Sequence, residues 1–132
     1  MIDPDIQTQF IERIASECDF VTVEQAWFMK PVELRTDLPA CFTYLAEDGP
    51  SGDINTISPR QRTTLVYGVW LVCRRDEFQA KRHELREALF GWTPTEHHTP
   101  MAYAGGQTSD LQGDIVWWLE RWSTDTQLTN RG

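Results

Sequence analysis

The residues best placed to do chemistry sit in "TPTEHHTP", residues 93 to 100, where His97 and His98 follow Glu96 between two prolines. A histidine beside a carboxylate is the raw material of a general base, and two histidines are the start of a metal site. The spacing argues against both. Adjacent histidines on an extended chain point opposite ways, further ligands at a spacing such as HExxH are missing, and the segment reads as a solvated loop. His83 lies beside Glu84 and Glu87 in a helical stretch, which is an ordinary surface arrangement. Carboxylate pairs such as Asp3 with Asp5 or Glu47 with Asp48 fall in a helix cap and at a loop start, with no apolar surround to split their pKa values. Cys18, Cys41 and Cys73 are odd in number, widely spaced and without CxxC, so reduced, mostly buried thiols are expected rather than disulfides or a zinc site. GxSxG and the dinucleotide fingerprint are missing, and Gly105-Gly106 lacks the Lys-Ser/Thr context of a phosphate loop. No catalytic residue, metal or cofactor is expected. A small hydrolase using His97 or His98 with a carboxylate is an alternative without a signature.

A second feature is aromatic. Trp27, Trp70, Trp92, Trp117, Trp118 and Trp122 could stack on nucleic-acid bases, but that needs Arg or Lys interleaved to follow the phosphates, and only Arg121 is close by. Most of these rings are therefore expected in the core, with one or two at a subunit interface, where tryptophan is enriched.

The elements that must position these residues follow from the pattern. At 132 residues and 40% hydrophobic, the chain suits one domain that buries roughly two thirds of its unfolded surface. The net charge of -8 excludes phosphate-driven binding to nucleic acid or an anionic membrane. The charge is lopsided: residues 1–60 hold 4 basic and 11 acidic side chains, and residues 61–132 hold 8 and 9. No basic-then-apolar leader opens the chain and no apolar run nears the ~18 residues of a membrane span, so the protein is expected to be made and used in the cytoplasm.

Asp3-Pro4 reads as an N-cap with proline at the first helical position, opening an amphipathic helix over 4–17 on Ile6, Phe10, Ile11 and Ile14. "FVTVEQAWF" (20–28), "ACFTYLAE" (40–47) and "TTLVYGVWLVC" (63–73) read as strands, the last mid-sheet because both of its alternating sets are apolar. "DGPSGDINTISPRQ" (48–61) reads as a long functional or mobile loop. A helix over 76–90 is expected, with Asp76 as N-cap, Gln79 in the capping box and Gly91 as stop. "MAYAG" and residues 114–123 read as a hairpin, with Gly105, Gly106 and Gly113 in the connection. On that strand, Trp117 is expected in the helix-covered core with Ile115 and Leu119, whereas Trp118, beside Glu120 and Trp122, is expected at an interface. The fold class is α+β, a single mostly antiparallel (mixed) sheet of four to five strands with two helices packed on it, in the order α-β-β-β-α-β-β. Residues 1–124 form the domain and 125–132 a flexible tail.

The segments "LREALFGWTP", "PMAYAGGQ" and "GDIVWWLERWST" carry a resemblance. Over about residues 85–124 the chain resembles the tail terminator proteins of long-tailed bacteriophages, the minor tail protein U-like family, and the order of earlier elements agrees. The resemblance implies a virion protein of the tail and neck, assembled in the bacterial cytoplasm. It implies a ring, usually a hexamer, that caps the head-proximal end of the tail tube, stops tube polymerisation and meets the head connector. The implied partners are other copies of the chain, the major tail tube protein and the connector proteins, with DNA passing through without specific binding. A head-tail completion protein of similar build and a monomeric ligand-binding domain are the remaining alternatives. The partner interface is expected on Asp48, Asp53, Ile54, Asn55 and Arg60 of the long connection, on Arg82 and Arg86 of the second helix, and on Trp118 and Trp122.

Overall fold

A computed structural model describes residues 6–26 and 38–129. The expectations for Asp3-Pro4, for Trp27 and for residues 130–132 lie outside the described residues. The element order is helix α1 (Gln7–Glu17), strands β1 (Thr22–Gln25), β2 (Ala40–Pro50) and β3 (Arg60–Arg74), helix α2 (Phe78–Leu89), and strands β4 (Ala102–Gln112) and β5 (Ile115–Thr129). This is the expected α+β order. One five-stranded sheet runs β1-β2-β3-β5-β4, antiparallel except for the β1–β2 pair.

β3 is central because both of its faces are apolar and a mid-sheet strand buries both. Leu65, Tyr67 and Val69 pack under the helices with Phe10, Ile14, Leu85, Leu89 and Trp122. Trp70 and Val72 join Phe42, Tyr44, Trp117 and Leu119 in a second cluster on the opposite face. α1 starts where the Ile6 N–H donates to the Tyr67 hydroxyl at 3.0 Å, and Arg13 Nε donates to the Ala88 carbonyl at 2.9 Å, tying α1 to the last turn of α2. α2 is entered through a 3-10 turn at Arg75–Glu77, so the capping box joins Arg74 and Glu77 rather than Asp76 and Gln79.

Three expectations change at the strand ends. The connection expected over 48–61 is ladder only at its two ends, because β2 runs to Pro50 and β3 begins at Arg60, which leaves 51–59 as the loop. Its polar residues bond across the hairpin: Thr63 Oγ1 donates to Asp48 Oδ1 at 2.5 Å and the Ser51 N–H to the Arg62 carbonyl. Of the expected tail, residues 125–129 are also strand. β5 continues to Thr129, opposite Arg60, and Thr124 and Thr126 are buried although polar. Their hydroxyls donate to the Thr99 and His97 carbonyls at 2.6 and 2.9 Å, which satisfies groups that would otherwise be costly to bury. Finally, of the three glycines expected in the β4–β5 connection only Gly113 (φ 61) makes the two-residue turn, whereas Gly105 (φ 124) sits at a bulge inside β4.

Candidate partner interface

Two surfaces gather the residues expected to meet partners. The first is the tip of the β2–β3 hairpin. Asn55 pairs with Arg60 in an isolated bridge, and its Oδ1 accepts from the Ile57 and Ser58 N–H groups at 3.0 and 3.2 Å, a turn that asparagine is suited to hold. That turn pushes Ile54 and Ile57 into solvent, Ile57 to 96% exposure. Asp53 is exposed beside them. Asp48 is set back in the ladder against Thr63, and Arg60 opens β3, so the hairpin holds all five expected residues but presents only its tip.

The second surface lies where α2 crosses β5 and β4. Arg82 stands over the rings of Phe78 and Trp118, its Cζ 5.6 and 5.5 Å from their centroids, and its Nη2 donates to Gln79 Oε1 at 3.0 Å. One turn on, Arg86 Nε meets Glu120 Oε1 at 3.2 Å, and its Cζ lies 4.5 Å from the Tyr103 ring centroid. Glu120 is fully buried, and its second oxygen accepts from the Trp122 indole at 3.0 Å. Both carboxylate oxygens are thus used, as a buried charge requires. Beside this group an open cavity of about 680 Å³ is lined by His83, Arg86, Glu87, Phe90, Tyr103 and Trp122. Phe90 is 71% exposed at its mouth.

The tryptophans divide as the strand pleat demands, but the faces are the reverse of those expected. Trp118, Glu120 and Trp122 turn toward the helices, and Trp122 is fully buried in the helix-covered core rather than at an interface. Trp117 packs edge-on against Trp70 on the other face. Trp118 is half-buried, with its ring edge-on to Phe78 at a centroid distance of 5.4 Å and with its Cζ2 2.5 Å from where a Cβ on Gly106 would stand.

The chemistry-bearing residues fall into structural roles. His98 is buried rather than solvated, its Nδ1 2.6 Å from the Thr95 hydroxyl, while His97 is exposed beside Glu96 at 3.3 Å. Thr95 also accepts the His97 N–H, so it serves the turn. Among the described residues, no group of three or more His, Cys, Asp or Glu side chains could hold a metal ion. Burial pushes the Cys18 thiol up to about 12, helped by Glu84 and Glu17, and likewise that of Cys73 to about 12. Cys41 is raised well above its usual range for the same reason. All three are free cysteines.

The family model described as phage tail terminator protein matches residues 5–131. The chain belongs to the phage tail terminator family. Membership makes it a structural component of a phage tail. Its fold is similar to that of a chain in the virion of a native gene transfer agent particle, at 8% identity and a TM-score of 0.51, with 93% of this chain and 92% of that one covered. No curated protein matches the sequence. In this tail terminator family member, sequence reasoning missed Glu120. The signal was a carboxylate placed two residues from tryptophan on either side, at an inward-facing strand position, with an arginine available on the preceding helix.

Proposed function

We propose that the protein closes into a ring of six identical subunits that caps the head-proximal end of the tail tube, ends tube polymerisation and joins the tail to the head connector. Family membership over residues 5–131 is the observation that carries this reading. A ring requires two different, complementary surfaces on each subunit, so that the contact is head-to-tail and its rotation closes. The exposed hairpin tip and the α2–β4 cavity are two such unlike surfaces. A net charge of -8 suits a channel that passes DNA without holding it, because phosphates are bound by Lys and Arg. The tube protein and the connector are the partners of the two open faces of the ring, and assembly takes place in the host bacterial cytoplasm before the tail enters the virion. Native mass spectrometry of the purified protein tests this. A single closed oligomer, six subunits on this reading, supports it, and a strict monomer also missing from tail particles removes it.

A further inference from the structure

Ile57 at the β2–β3 tip is a large apolar side chain left 96% exposed, and Ile54 beside it is 57% exposed. Isolated apolar side chains on a surface need no explanation, but here two share one turn whose backbone is held by Asn55 Oδ1. The α2–β4 cavity has the opposite shape. It is open, about 680 Å³, and its lining includes the exposed Phe90 and Tyr103 together with the buried Trp122. Charge is complementary at one pair of residues, Asp53 on the tip and Arg82 beside the cavity rather than in its lining. Asp53 on the tip meets no cation among the described residues, and Arg82, one turn before Arg86, meets no carboxylate. The ladder keeps them apart within one subunit. The cavity lies in the row Tyr103–Trp122–Tyr67, seven residues along β3 from Arg60, or about 23 Å at ~3.3 Å per residue, and the tip projects beyond Arg60.

We infer that the occupant of the cavity is the hairpin tip of a second copy of this chain, with Ile57 and Ile54 against Phe90 and Tyr103, and Asp53 facing Arg82. The inference rests on the ring reading and specifies its joint. Such a contact is head-to-tail, because the tip of one subunit fills the next subunit's cavity and leaves its own cavity for another.

The test uses the full chain with Ile57→Asp, which disables the tip, and Phe90→Glu, which disables the cavity. Both positions are exposed, and thermal melting of each variant confirms that the fold is kept. Sedimentation should show each variant alone as a monomer, with self-association weakened about thirtyfold or more, the scale of an interface anchor. Mixing the two should give 1:1 dimers and nothing larger, since one intact tip and one intact cavity remain. Asp53→Arg or Arg82→Asp alone should weaken association by about three- to tenfold, and the two together should restore it. Rings that persist with Ile57→Asp, or variants that fail to combine when mixed, overturn the joint while leaving the ring reading in place. A wild-type protein that stays monomeric and is missing from tails overturns both.

Discussion

Arg86 and Glu120 meet at 3.2 Å across the α2–β5 seam, with one partner about a third exposed and the other fully buried. The asymmetry decides what each substitution costs. Arg86→Ala leaves a carboxylate buried with, among the described residues, the Trp122 indole as its remaining partner and should lower stability by about 1–3 kcal/mol, less than the ~3–5 kcal/mol for breaking a wholly buried pair because Arg86 is partly hydrated. Glu120→Gln should cost less, since the freed guanidinium can turn to water. Denaturant unfolding of both variants checks the order.

The tryptophans give a second prediction. Trp122→Ala and Trp117→Ala each open a cavity in a buried cluster and should each cost about 3–5 kcal/mol in the isolated subunit, although the two rings lie on opposite faces. Trp118→Ala should cost less, because that ring is half-buried and packs against Arg82, which is itself only half-buried. Thermal unfolding of the three variants distinguishes this from an account in which one face is free.

Gly68 allows a close approach. A Cβ there would stand 2.4 Å from Tyr44 Cζ, and the buried Tyr44 ring has little freedom to withdraw. Gly68→Ala should therefore cost about 1–3 kcal/mol by overpacking. In a Tyr44→Leu background the added cost of the same change should shrink, which a double-mutant cycle measures.

Glu84 ties the α1–β1 connection to α2. Burial raises its carboxyl, but the Asp19 N–H at 2.9 Å and the Lys81 ammonium at 3.0 Å outweigh that and hold it below its ordinary value. A lowered folded pKa contributes stability that is present above the unfolded carboxyl pKa, near 4.5, and is lost as the pH falls through the folded value. Glu84→Gln should thus lower stability at neutral pH and flatten part of its fall on the acid side. Melting temperatures between neutral and acid pH give the comparison.

Much of this fold was legible because hydrophobic alternation is a local signal. β3 has apolar residues on both alternations and sits mid-sheet, and α1 is set by Ile6, Phe10 and Ile14. What was not legible depends on pairing. Which face of β5 the helices cover follows from its register with β3, where Trp122 stands opposite Tyr67, and that register is absent from the alternation of β5 itself. Glu120 looked like the mark of a mixed surface because its partner comes from a helix 34 residues away. Residues 48–50 and 125–129 are mostly without apolar side chains and read as loop and tail, yet they are strand because they pair with β3, with Thr63 bonded to Asp48, Thr99 to Asp125 and Thr126 to the His97 carbonyl. At the candidate interface, Arg82, Arg86 and the hairpin were identifiable by their types, whereas Phe90, Tyr103 and their cavity appear only once β4 is laid against β5.

The central claim is that a ring of this protein ends the tail tube. Electron microscopy of tubes polymerised from the major tail tube protein, with gold-labelled subunits added, tests it most directly. The account predicts label at one end of each tube and no further growth at that end. Tubes that lengthen equally from both ends, with label at neither, would contradict it.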